Sequence, residues 1–401
     1  MPRAADYTIQ GFLYQFNKTA LEILKAQDDD AITVEGIVED IEVESSASLT
    51  AIQCKYHEAS TSFSPSAVYK PLLQMLKHFS DHTTSQIRYV LFAHFSNVGT
   101  PSPAVDKSTL QAALASTDKE LRRHVEAVPS GIDLDDFLAR FKMDFGPSYD
   151  DLAQNVATEL EANGIPAGDI ETLAYPNTIH RIAMLSIKHD AAARKTTKKQ
   201  FLLQLKTDRR TAISRWTLAL KSRKKLLEAR RKQLKAHLDK NARLRYFVVD
   251  PGSVEDYETE IVLFVSDFLD KYHFKTAHIA TPVLCLCSSR DKVQDIQRRL
   301  FAKGIVADDG YIGGAFQESR LFREPISSKK AGGGLDREFS LRILSWDDHG
   351  GVLNNKKCDD LFIIGEPDCG SLDTVDVNVE RLAGATMKEI KYVMGVSNVY
   401  E

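Results

Sequence analysis

The sequence predicts an α/β protein. A mixed sheet flanked by helices is expected over 1–105, a helical middle module over 106–245 and a separate α/β domain over 246–401. Three observations lead there. At 401 residues the chain exceeds what one hydrophobic core usually serves, so two or three domains are expected. Short apolar runs with a two-residue period fill the first hundred residues, while 106–240 follow a helical period. Beyond 246, apolar runs alternate with an amphipathic helix, and a strand–helix–strand order implies a parallel or mixed sheet.

Taken in order, "GFLYQFNKTALEIL" (Gly11 to Leu24) reads as an opening helix. In "ITVEGIVEDIEVESS" (32–46), Ile37, Glu39, Ile41 and Val43 alternate with Val38, Asp40, Glu42 and Glu44, which fits a strand. "SSAS" supplies a turn, and "LTAIQCKYH" (49–57) follows as a second strand. Residues 67–80 read as a helix, "QIRYVLFAHFS" (86–96) as a strand buried on both sides, and "NVGTPSP" (97–103) as a loop. "SYDDLAQNVATELEANG" is a helix with a capping serine, acids in its first turn and Gly164 at its stop. In the last part "HIATPVLCLCSS" reads as a buried strand and "DKVQDIQRRLFAKG" as a helix, with "FSLRILSW" and "DDLFIIGEP" as later strands. "KKAGGGLDREF" (329–339) matches neither GxxxxGK[ST] nor GxGxxG and reads as a loop rather than a nucleotide site.

The chemistry concentrates in the hairpin. Side chains alternate across a strand, so Gln53 and Lys55 share a face while Ile52 and Cys54 point to the other. A lysine and a glutamine side by side in an apolar strand call for negative charge. Glu35, Glu39, Asp40, Glu42 and Glu44 lie just upstream, with no basic residue between Lys25 and Lys55. A hairpin would put Asp40 near Gln53 and Lys55, the outline of a Mg²⁺ site built from hard oxygen ligands. The same residues also suit an exposed hairpin face with a weak surface ion pair.

Asp40, a turn and Gln53-x-Lys55 resemble the D…(E/Q)xK signature of the PD-(D/E)xK nuclease superfamily in its Mrr-like form. The opening helix, the acidic strand and the "IQ-x-K" strand are similar in order to the Cap4-type nuclease domain of bacterial anti-phage effectors. "RKTTKKQFLLQL" (194–205) resembles the end of that module, so the likeness covers about the first half of the chain. It implies a restriction-endonuclease-like core and a Mg²⁺- or Mn²⁺-dependent endodeoxyribonuclease. Asp40, the Gln53 side-chain oxygen and the Cys54 backbone carbonyl would hold the ion, with Lys55 stabilising charge on the phosphate. Glu35, Glu39 and Glu22 are further candidates. Glu22 either faces the site from the first helix or is a solvent residue of it. Glutamine in place of glutamate removes one charge from the metal site.

The resemblance also implies a homo-oligomeric effector of a multi-subunit defence complex acting on double-stranded DNA. A separate ATPase, either a HerA-type translocase or the SMC-like partner of Lamassu systems, would complete it. The C-terminal part shows no pattern matching the cyclic-oligonucleotide-sensing SAVED domain and is expected to mediate assembly. The alternative is a catalytically inactive DNA-binding or assembly subunit of such a complex.

Charge is uneven. Residues 194–245 hold nineteen Lys/Arg and three acids, leaving 33 bases against 53 acids elsewhere, so a formal net charge of −4 hides a basic segment on an acidic body. Ile213, Trp216, Leu220, Leu227 and Leu234 form a narrow helical seam, which predicts one basic helix of ~45 Å over 209–238. Arg209, Arg210, Arg215, Lys224, Lys225, Arg230, Arg231 and Lys232 are its candidate nucleic-acid contacts. Docking on an acidic neighbouring subunit fits the same charge.

Other signals are weak. Five cysteines without a CxxC pair suggest neither a zinc ribbon nor a disulfide framework. His78 and His82 stand at metal-binding spacing but lack a third ligand, and His57 ends the strand or touches phosphate. No run of ~20 apolar residues predicts a membrane span. The N-terminus lacks an apolar signal core, so a cytoplasmic protein is expected.

Overall fold

The computed structural model describes residues 4–36, 39–46, 48–57, 63–83, 85–96, 98, 105–240, 243–275, 278, 280–329 and 335–400. The chain divides into two compact units, 1–209 and 210–401. The α/β class holds in both. The boundaries expected at 105 and 245 do not, because the middle stretch divides between the two units.

In the first unit, α1 (Ala4–Lys25) leads into β1 (Ala31–Val34), β2 (Ile41–Glu44) and β3 (Leu49–His57). Then come α2 (Tyr69–Asp81) and β4 (Ile87–Phe95). Next, α3 (Lys107–Leu114), α4 (Arg122–Ala127) and α5 (Leu134–Arg140) precede β5 (Phe141–Phe145). The unit closes with α6 (Tyr149–Ala162), α7 (Tyr175–Ser186), β6 (Lys195–Thr197) and α8 (Lys198–Thr207). One six-stranded mixed sheet results, in the order β5-β4-β3-β2-β1-β6. The β1–β2, β2–β3 and β1–β6 pairs are antiparallel, and β3–β4 and β4–β5 are parallel. The strand expected to run through 37–44 begins only at Ile41, and Ile37 and Val38 lie outside the described residues.

Both faces of this sheet are covered. Ala51, Leu91 and Ala93 pack with Leu72, Leu76 and Phe79 of α2 and Phe137 of α5. On the other face Tyr14 of α1 stacks on Tyr56 and Phe92, with ring centroids 4.6 and 5.7 Å away. The helix expected over 148–164 forms as α6, where the Ser148 hydroxyl accepts from the Asp151 N–H and Gly164 takes φ +83°.

The second unit holds α9 (Arg223–Leu238), β7 (Arg245–Val249), α10 (Tyr257–Tyr272), β8 (Val283–Leu286) and α11 (Arg290–Ala302). After these come β9 (Ala307–Asp308), β10 (Leu341–Ser345), β11 (Asp360–Ile364), β12 (Asn378–Leu382) and α12 (Met387–Val393). Its sheet runs β12-β11-β7-β8-β10-β9 with every pair parallel. "RYFVV", "VLCL", "LRILS" and "DLFII" are each buried throughout, as strands covered on both faces must be. The flanks of the expected loop at 329–339 pair as a hairpin, Ser327–Lys329 with Leu335–Arg337, and 330–334 lie outside the described residues. All five cysteines are free; Cys54 and Cys285 are buried, and Cys287 is half-buried.

The single basic helix over 209–238 does not form. Ile213 leaves helical geometry to bridge Leu382 on β12, and Ser214 caps a short turn, Arg215–Leu218. Only α9 is continuous, at about 24 Å for its 16 residues. Its seam is real: Leu227 and Leu234 are buried in the core with Ile213, and Leu220 is buried too.

Candidate active site

The β2–β3 register sets the site. Ile41 pairs with Ile52 and Glu42 with Ala51, so Asp40, one residue before β2, lies opposite Gln53. Asp40 Oδ2 accepts from Gln53 Nε2 at 2.7 Å and from the Cys54 backbone N–H at 2.8 Å. The carboxylate thus takes over where the β2–β3 ladder ends. Gln53 is buried at 7% exposure, and Lys55 is half-buried. By alternation both share the Ala51 face, the one that α2 covers.

Two more acids join them. Glu39 is buried, and its carboxyl is pushed up to about 8 by burial and by Asp40, with Lys55 opposing. Glu35 is raised by burial and by Asp40; a hydrogen bond from Gln15 and the charges of Arg194 and Lys55 oppose this. Its N–H donates to the Asp40 carbonyl at 2.8 Å, closing the β1–β2 turn. Asp40, Gln53, Lys55, Glu35 and Glu39 are therefore brought together. Glu22 is not. It pairs with Lys18 at 2.6 Å on α1, and Lys18 lies over the Phe92 ring on the opposite face of the sheet.

The donor chemistry suits a hard divalent cation. Carboxylates, a carboxamide and a backbone carbonyl are all oxygen ligands, and crowded carboxyls held above their ordinary range gain from a nearby cation. One feature departs from expectation. Gln53 presents Nε2 rather than its oxygen to Asp40, so the amide must turn over to serve as a ligand. No group of three or more His, Cys, Asp or Glu side chains among the described residues is arranged to hold a metal ion.

His57 continues the Gln53–Lys55 row and stacks on Phe95 at 4.6 Å; burial and Lys55 lower its pKa. His78 Nδ1 meets the Tyr89 hydroxyl at 2.8 Å, and the His82 ring stacks on His78 at 4.1 Å, so both are engaged locally. Sequence reasoning missed Gln15 and Arg194, which reach Glu35 from distant segments. Only the buried position of a glutamine inside "FLYQF" could have hinted at the first.

The candidate nucleic-acid residues divide. Arg209, Arg215, Lys224, Lys225 and Lys232 are exposed. Arg230 is buried and pairs with the fully buried Glu380, which Arg210 also meets at 2.9 Å. Arg231 stacks on Tyr392 and donates to the Ser397 carbonyl at 2.8 Å. Arg223 grips Glu389 through two bonds of 2.7 and 2.8 Å. The acidic surface for this part of the basic segment thus comes from β12 and α12 of its own unit, which removes Arg230 as a phosphate contact.

No family model matches the chain, and no curated protein matches it. Among solved structures, it is similar to the Acinetobacter baumannii Cap4 SAVED/CARF-domain containing receptor with the cyclic trinucleotide 2′3′3′-cAAA. That match has 11% identity and a TM-score of 0.29, over 82% of this chain and 68% of that chain. The same receptor with 3′3′3′-cAAA gives 11% and 0.29 over 88% and 89%. At such TM-scores the backbones agree only loosely, and no residue of the site is carried across. No helix among the described residues is long and apolar enough to cross a membrane.

Proposed function

We propose that the chain is a metal-dependent DNA endonuclease, the effector subunit of a bacterial anti-phage complex working in the cytoplasm on double-stranded DNA. One observation carries this reading: the Asp40 carboxylate meets Gln53 and the Cys54 N–H in register, with Lys55 next on the same face. Asp40, Gln53 after its amide turns, and the Cys54 carbonyl would hold Mg²⁺ or Mn²⁺. Such an ion supplies Lewis acidity and lowers the pKa of a bound water. Lys55 places its ammonium where negative charge grows on the scissile phosphate and orients the attacking water. Glu39 holds a proton near neutral pH and releases it when positive charge approaches.

In this reading the second unit serves assembly into a homo-oligomer, and a separate ATPase, a HerA-type translocase or an SMC-like protein, controls access to DNA. The test is plasmid cleavage by the purified chain, with Mg²⁺ or EDTA, alone and with its genomic neighbours. Cleavage that needs the ion and is lost in Lys55→Ala supports the reading; none under any of these conditions rejects it. A second reading, a catalytically inactive DNA-binding or assembly subunit, is favoured by the Gln53 amide that already occupies Asp40. DNA binding without cleavage would select it.

A further inference from the structure

Glu35 occupies a backbone conformation its side chain disfavours. Its φ is +50°, in the left-handed region that costs a non-glycine residue about 1–2 kcal/mol. Glycine is available one position later and would take the turn without strain. Three segments fix Glu35 there. Its N–H donates to the Asp40 carbonyl at 2.8 Å. Its own carbonyl accepts from Arg194 Nη1 at 2.7 Å, while Arg194 Nε donates to the Lys188 carbonyl at 2.6 Å. Its carboxylate accepts from Gln15 Nε2 at 2.6 Å. Gln15 is a buried polar residue on α1 between Leu13, Tyr14, Phe16 and Asn17, all buried. A leucine there would bury more apolar surface, so the amide is kept for what it bonds.

We infer that Gln15 and Arg194 are positioning residues that hold the Glu35 carboxylate at the Asp40–Lys55 site, where its charge adds to the field that draws a divalent cation. This rests on the metal-dependent reading above. Glu35 need not touch the ion: it acts through the field beside Asp40, and the two positioning residues fix where that charge sits. Arg194 also links the site to the edge strand β6, which pairs with β1 just after it.

The test is calorimetric titration of Mn²⁺ into the DNA-free full-length chain, with cleavage kinetics measured separately. Gln15→Leu is expected to weaken Mn²⁺ binding by about tenfold, the low end for residues that orient a site. It should lower kcat by a similar factor and leave KM for DNA unchanged. In a Glu35→Gln background the same substitution should add nothing to either loss. Arg194→Met should behave like Gln15→Leu, and it serves if Gln15→Leu does not fold. A lowered Tm with unchanged Mn²⁺ affinity overturns the inference, since the two residues would then only pin a turn. Additive losses overturn it too, as does a wild-type chain that binds no Mn²⁺. Non-additive Mn²⁺ binding in a chain that cuts no DNA sustains the inference while the nuclease reading fails.

Discussion

Asp40 and Gln53 face each other across the end of the β2–β3 ladder, the carboxylate accepting from the amide at 2.7 Å and from the next backbone N–H at 2.8 Å. One carboxylate therefore both ends a strand pair and anchors the site, which makes the choice of substitution matter.

Lys55→Ala should abolish cleavage with the fold retained. Asp40→Ala should also abolish it, but at a cost of about 1–3 kcal/mol, because the Cys54 N–H and the Gln53 amide lose their acceptor. Asp40→Asn keeps an acceptor and should separate activity from stability. Plasmid nicking beside thermal melts reads both; wild-type cutting by any of the three rejects the site.

Activity should need Mg²⁺ or Mn²⁺ and should not be supported by Ca²⁺ alone, since Mg²⁺ demands a tighter geometry than Ca²⁺. Undiminished cleavage after exhaustive EDTA treatment would exclude this chemistry.

Glu39 makes metal-free stability depend on pH. Its folded carboxyl titrates at about 8 against an ordinary 4.5, so between those values the folded chain keeps a proton that the unfolded chain releases. The contribution is full below pH 4.5 and is lost as pH rises toward 8. In EDTA, Tm should fall over this window, and Glu39→Gln should flatten that slope. Parallel Tm curves for the two chains would contradict the burial of Glu39.

Arg230→Ala should destabilise the second unit by about 1.5–3 kcal/mol, because buried Glu380 loses one of its two arginine partners and keeps only Arg210. Reversing the exposed Arg209, Arg215, Lys224, Lys225 and Lys232 together should leave the fold intact. Each lost phosphate contact would then flatten the salt dependence of DNA binding by ~0.9. An unchanged slope with intact assembly would leave these cations without a role.

A chain ending at residue 209 should fold and melt cooperatively, whereas one ending at 245 should aggregate. The longer chain carries Leu227, Leu234 and Leu238 of α9, which are buried in the core of the second unit. Light scattering and melting curves distinguish the two, and equal behaviour would place the boundary elsewhere.

The sequence by itself determined what is local. Alternation marked β3 from Leu49 to His57 without error, a four-residue turn joined it to β2, and antiparallel pairing across a short turn left little choice but Asp40 opposite Gln53. Composition and period also located α6, β4, β8, α11 and β11. Only the tertiary structure decided which segments meet at long range. The middle stretch gave β5 and β6 to the two edges of the first sheet, and Gln15 and Arg194 converge on Glu35 from opposite ends of that unit. It also turned part of a basic run into internal ion pairs, because Glu380 and Glu389 lie 150 and 166 residues from Arg230 and Arg223, which they neutralise. Strand and helix periods repeat within a few residues and can be read along the chain. Charge pairing and sheet order depend on which distant segments burial brings together, and a linear pattern does not encode that.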